Sequence, residues 1–294
     1  MRELVKAHLD HKRAWHDFHY GYPVISRRSK GVSLGVNLSP NKICNFSCVY
    51  CEVDRVNPPR RKDVDLDQLE REMSTLMDLV ASGELYRTPP FDSARPEQRR
   101  LNDIAFSGDG EPTMAREFPE CVERLARLKA AKGLDDCKLV LITDSTLLQS
   151  PGAVRGLEIL MAHQGEIWAK LDGGTEAHYL EINRSKVSFG KILDNLLATA
   201  RRWPITIQTL FLEWKGRGPS DAEVEAYVDR LRWLLAGGGR LQGIQLYTVA
   251  RATPEPEARP LGAACLDVLA ERVRQAVPEV PVEVFYGPDD PGHV

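Results

Sequence analysis

The sequence predicts an α/β protein built from parallel strands and crossover helices. Short β-rich runs alternate with helix-like segments after residue 30, the pattern of repeated βα units. The chain has 294 residues, 43% of them hydrophobic, enough for a sizeable core. No stretch reaches the roughly 20 apolar residues that a membrane span requires, so no membrane association is expected.

The predicted strands are SLGVNL (33–38), DIAFS (103–107), KLVLIT (138–143), EIWAKL (166–171), ITIQTLFL (205–212), GIQLYTV (243–249) and VEVFY (282–286). Helical patterns lie between them, near 66–82, 117–132, 151–163, 188–202, 220–236 and 262–277. Ser150-Pro151 and Pro219-Ser220-Asp221 are start signals, and Gly237-Gly238-Gly239 is a stop. Residues 1–30 read as an N-terminal extension and 31–294 as the main domain. The stretches 56–63 and 86–100 read as irregular. Six βα units and a last strand make a full barrel, a partial barrel or a doubly wound sheet, and periodicity does not choose among them. Each places ligand-binding residues beyond the C-terminal ends of the strands.

Charge is uneven. Residues 1–62 hold 12 Lys/Arg against 5 Asp/Glu, a balance of +7, while the whole chain is at −3. A phosphate-bearing partner and a plain solvated surface are both consistent with this basic third. The N-terminus is charged and His-rich and has no apolar h-region, so the reading is cytoplasmic. His8 with His11, or His16 with His19, would share a face if this segment were helical; a solvated helix is the plainer reading.

Six cysteines are present, and three fall in one loop, Cys44-Asn-Phe-Ser-Cys48-Val-Tyr-Cys51. Cys121, Cys137 and Cys265 are scattered and read as small buried residues. A disulfide framework does not suit this chain. Thiolates at these spacings can wrap an iron–sulfur cubane and ligate three of its irons, leaving the fourth open. Zinc would need a fourth ligand, and no Cys or His follows at a finger-like distance. The loop follows the first predicted strand, as the architectural rule requires.

Further candidates follow later strands. Ser107-Gly108-Asp109-Gly110-Glu111 is a glycine-rich turn with a carboxylate able to accept from an ammonium, or an ordinary turn. Thr143, Asp144 and Ser145 offer ribose or carboxylate contacts, with a helix N-cap as the alternative. Lys170 and Asp172 are expected to point one to the interior and one to the wall, with a mutual salt bridge as the competing reading. Asn183, Arg184 and Ser185 lie just beyond. Gln208 and Thr209 lie within the fifth strand and Glu213 near its end, and Tyr247, Thr248 and Arg251 lie at or after the sixth.

The Cys-x3-Cys-x2-Cys loop, with Tyr50 before its last cysteine, is similar to the signature of the radical S-adenosylmethionine (radical SAM) superfamily. The resemblance implies a partial (β/α)6 TIM-like barrel, one [4Fe–4S] cluster on Cys44, Cys48 and Cys51, and SAM chelated to the open iron. It implies reductive cleavage of SAM to a 5′-deoxyadenosyl radical that takes hydrogen from a substrate. Tyr50 would lie beside the adenine, and the Ser107–Glu111 segment would hold the SAM amino group. Thr143, Asp144, Ser145, Lys170, Asp172, Arg184 and Val249 complete the implied cofactor contacts. Asp144 and Ser145 depart from the Thr-Asn-Gly-Thr pattern of related proteins. No catalytic residue beyond these is assigned.

The stretch Ser26–Pro40 and the segment Leu246–Arg251 resemble the wyosine-synthetase-like branch. Members acting on tRNA use upstream cysteines for a second cluster, and this chain has none before Cys44. The expected substrate is therefore a nucleoside, nucleotide or other small molecule, with flavodoxin or ferredoxin as electron donor. A protein or peptide modifier, a tRNA-modifying enzyme and a non-enzymatic electron carrier are the alternatives.

Overall fold

The computed structural model describes residues 15–59 and 61–287, which form two compact units. His8 and His11 lie outside the described residues. The first unit comprises the chain up to Cys44 with Arg55–Ile142 and Ser150–Glu166; the second comprises Asn45–Asp54, Thr143–Gln149 and the chain from Ile167.

The first unit carries β1 (Gly21–Ser26), β2 (Gly31–Val36), β3 (Leu101–Phe106) and β4 (Lys138–Thr143), with helices α1 (Leu66–Ala81), α2 (Phe118–Ala131) and α3 (Pro151–Ala162). Strands β2, β3 and β4 are parallel neighbours, as alternation predicts. β1 pairs antiparallel with β2, although residues 1–30 read from sequence as irregular or appended. Its anchor is remote in sequence. The buried Glu72 carboxylate on α1 accepts from the backbone N–H groups of His19 (3.1 Å), Tyr20 (2.8 Å) and Gly21 (3.1 Å). His16 and His19 sit in turns and bends, so they share no helix face.

The second unit carries β5 (Gly165–Lys170), β6 (Ile205–Leu210), β8 (Leu241–Tyr247) and β10 (Val282–Phe285), paired parallel in that order. A separate antiparallel pair joins β7 (Leu212–Trp214) to β9 (Ala258–Pro260). The helices are α4 (Glu176–Ile182), α5 (Phe189–Arg202), α6 (Asp221–Ala236) and α7 (Ala263–Ala276). Hydroxyl N-caps start several helices: Ser150, Thr175, Ser188 and Ser220 accept from the backbone three residues on, which occupies an otherwise orphaned donor. Gly237 ends α6 as expected, and Gly238 follows at φ 83°. No helix among the described residues is long and apolar enough to cross a membrane.

A buried acid lies in the first unit. Asp103 on β3 is 2% exposed and accepts from the Ser33 hydroxyl. Burial pushes its carboxyl up from 3.8 to about 6, against the opposing pull of that hydrogen bond. The folded state thus prefers the protonated acid. Its stabilisation is complete below the unfolded value near 4 and is lost as pH rises through about 6. Asp103→Asn, neutral at every pH, is therefore expected to be more stable than wild type at pH 8, by up to about 3 kcal/mol. The gap should shrink toward pH 5, read by urea denaturation at each pH. An equal gap at pH 5 and pH 8 refutes this.

Candidate functional site

The glycine–glutamate segment lies in the first unit, where the exit of β2 packs against the exit of β3. Asn37, just past β2, receives Asp109 N–H on Oδ1 (3.2 Å) and donates from Nδ2 to Asp109 Oδ2 (2.9 Å). Two glycines allow this approach. A Cβ at Gly108, whose φ is 155°, would lie 2.4 Å from Asn37 Oδ1, and one at Gly110 would lie 2.0 Å from the Ile43 carbonyl oxygen. Glu111 N–H donates to that carbonyl (3.2 Å), which ties the segment to the residue before Cys44. The Glu111 carboxylate is 2% exposed and accepts from Thr113 N–H (3.1 Å) and Oγ1 (2.6 Å). Ser107 Oγ shares a 2.9 Å hydrogen bond with Tyr22 Oη.

The second unit holds the other candidates except Cys44, which belongs to the first. Residues 45–51 are fastened to the turn after α4: Ser47 N–H donates to Asn183 O (2.9 Å), Val49 N–H to Ile182 O (2.9 Å), and Ser185 Oγ to Asn45 O (2.9 Å). Cys51 N–H closes a turn on Cys48 O at 3.0 Å. Tyr50 packs in an apolar cluster with Val49, Ile182, Leu210 and Val249, with Cys48 and Tyr247 against it.

Asp172 is the hub of this group. One oxygen accepts from Leu210 N–H (2.9 Å); the other accepts from Asn183 Nδ2 (2.8 Å) and from the Tyr50 hydroxyl. Lys170 Nζ lies 3.6 Å from Asp172 Oδ2 and donates to Tyr247 Oη at 2.7 Å. It also sits over the rings of Tyr50 (4.8 Å) and Tyr247 (5.3 Å). The expectation of opposite directions for Lys170 and Asp172 is wrong: residues two apart on an extended chain share a face, and the mutual ion pair forms instead. Burial opposes the Lys170 charge, yet Asp172, with Tyr247 and Cys48, holds the ammonium above the ordinary lysine range. Burial pushes the Tyr50 phenol well up, and the Asp172 charge adds to this. Desolvation raises the Cys48 thiol to about 12, partly offset by Lys170.

The Thr143–Ser145 loop is bonded mostly to itself and its neighbours. Thr143 Oγ1 accepts from Ser145 N–H (3.1 Å), and Asp144 Oδ1 from Thr146 N–H (2.9 Å) and Oγ1 (2.6 Å). Ser145, at φ 70°, donates from Oγ to Lys170 O (3.1 Å). Asn195 on α5 donates to the Ser145 and Thr146 carbonyls (2.9 and 2.8 Å), a contact the sequence reading missed. Its signal was a polar residue on the apolar face formed by Ile192, Leu193 and Leu196. Arg184 forks onto the Glu255 carboxylate and stacks on Trp214, and Arg251 pairs with Glu52 (2.7 Å). Gln208 donates to Gln245 Oε1 (2.7 Å), and Thr209 Oγ1 bonds to Tyr227 Oη (2.6 Å).

None of the six cysteines is in a disulfide; Cys121 and Cys137 are buried as expected, whereas Cys265 is exposed. Among the described residues, no three His, Cys, Asp or Glu side chains are gathered as a ready metal site. The donor chemistry of the loop nevertheless fits an iron–sulfur cluster. It offers three thiols outside any disulfide, and one of them, Cys48, receives an N–H at its sulfur from Asn183 Nδ2 at 3.4 Å.

No protein-family profile matches the chain. Among curated proteins it is 28% identical over 137 residues to a UPF0026 protein of Helicobacter pylori, which covers 46% of this chain and 38% of that one. It is 28% identical over 179 residues to the UPF0026 protein of Methanocaldococcus jannaschii, covering 60% and 48%. The chain thus spans less than half the length of these relatives. Among solved structures, TYW1 with a lysine–pyruvate adduct bound superposes with a TM-score of 0.52 at 15% identity, over 92% of this chain and 80% of that one. Streptococcus suis SuiB bound to S-adenosylmethionine gives 0.52 at 12% identity, over 88% and 49%. The chain has the partial barrel fold of the radical SAM enzymes, the superfamily that its cysteine and glycine–glutamate motifs resemble.

Proposed function

We propose that this chain reductively cleaves S-adenosylmethionine at one [4Fe–4S] cluster held by Cys44, Cys48 and Cys51, and that it takes a hydrogen atom from a small-molecule substrate. The observation that carries the reading is the buried Tyr50–Lys170–Asp172–Asn183 group against Cys48, one of the three loop thiols. When bound, the cluster supplies the electron that splits SAM into methionine and a 5′-deoxyadenosyl radical.

The chain's own residues bind and orient. Lys170 is a fixed ammonium suited to the SAM carboxylate, because Tyr247 and Asp172 hold it while leaving an N–H to donate. Glu111 takes the ammonium, and Tyr50 and Val249 give an apolar wall for the adenine. Thr143, Asp144 and Ser145 shape the loop that carries the ribose contacts. Arg184, tied to Glu255, closes the turn behind Asn183. A nucleoside, nucleotide or other small molecule is the favoured substrate class, and flavodoxin or ferredoxin the electron donor.

The test is anaerobic reconstitution, reduction with dithionite and addition of SAM. Methionine and 5′-deoxyadenosine should form in equal amounts, and SAM should perturb the cluster's EPR signal. No 5′-deoxyadenosine, even with cell extract as a substrate source, together with an unperturbed signal, overturns the reading.

A further inference from the structure

We propose that Asn183 sets the reduction potential of the cluster, through an amide N–H bonded to the Cys48 sulfur and aimed by Asp172. This rests on the reading that Cys48 is a cluster ligand. Asn183 is 1% exposed. Its NH2 group has two hydrogens with distinct destinations. Asp172 Oδ2 takes one at 2.8 Å; the other faces Cys48 Sγ at 3.4 Å and Tyr50 Oη at 3.4 Å.

The amide has little room to turn away. Asn183 caps α4, with its N–H on Tyr179 O (2.9 Å) and its C=O receiving Ser47 N–H (2.9 Å). Asp172 is itself fixed by Leu210 N–H at 2.9 Å. The carboxylate therefore orients the amide, and the amide addresses the sulfur, as outer partners orient ligands at metal sites. Reduction adds negative charge to a cluster and its thiolates. A donor on a ligand sulfur stabilises the reduced form more than the oxidised one, so it raises the potential.

The experiment measures the cluster midpoint potential by EPR-monitored titration, without SAM, in wild type, Asn183→Leu and Asn183→Asp. The Leu variant removes the donor at similar volume. The Asp variant keeps the shape and loses the amide donor, its carboxyl facing Asp172 and sharing a proton with it. The potential is expected to fall in both variants, with full cluster content in each. Should the Leu protein fail to fold, the near-isosteric Asp protein carries the comparison. Full clusters with unchanged potentials overturn the proposal while leaving the SAM reading intact. A wild-type chain that holds no cluster overturns the SAM reading itself.

Discussion

Cys48→Ala is expected to abolish cluster binding and SAM cleavage while the protein stays folded. The residue is one of three loop thiols, and its sulfur receives a side-chain donor from the buried Asp172 group. Losing a supporting hydrogen bond at a metal site costs roughly 10–100-fold in affinity or activity. Losing a ligand outright should cost more and bring 5′-deoxyadenosine to background. The fold should persist because residues 45–51 are held by backbone bonds from Ser47 and Val49 and by the Ser185 hydroxyl, none of which uses the thiol. Iron and sulfide content with the visible spectrum report the cluster, and circular dichroism reports the fold. Cys265→Ala, at an exposed position, is the control and should keep the full cluster. If Cys48→Ala also keeps it, the ligand assignment is wrong.

Lys170→Met should show two separable losses. Removing one member of a buried ion pair strands the other, at about 3–5 kcal/mol. Asp172 would keep its three neutral donors, which places the cost toward the lower end. The second loss is in SAM binding. A hydrogen bond to a charged group contributes about 1.5–3 kcal/mol, so affinity should fall by roughly 10–150-fold. The Lys170→Met/Asp172→Asn double variant separates the two: it has no stranded charge, so urea stability should recover, while SAM binding should not. A double variant that regains SAM affinity would show that Lys170 acts on the fold alone.

Much of this fold was legible because its signals are local. The strand over 138–143 matches β4 residue for residue, and Ser150 and Ser220 marked helix starts with a hydroxyl. β1 was missed because its anchor, Glu72, lies more than fifty residues away and offers no local pattern. β7 and β9 are three residues each and pair across more than forty, too short for any periodicity. α4 is seven residues long, also below what a helical period can show. At the site, Tyr50, Lys170 and Asp172 were named from motif and strand position, but their mutual geometry was misread by one step of the pleat. Asn183 was named with Arg184 and Ser185 as a candidate contact, but not as a partner of Cys48. Its importance comes from a side chain reaching Asp172 and Cys48 from the end of a helix, and a linear pattern does not encode that reach.

The fastening of residues 45–51 to the turn after α4 has a thermodynamic consequence. In small metal-organised domains the loop is disordered until the ion arrives, so much of the binding free energy is spent on restricting the backbone. Here Ser47 and Val49 already have main-chain partners on Asn183 and Ile182, Cys51 has one on Cys48, and the Ser185 hydroxyl holds the Asn45 carbonyl. Iron and sulfide would meet a loop whose conformational entropy is already reduced, and chelating the metal would remove a cofactor without removing the scaffold that receives it.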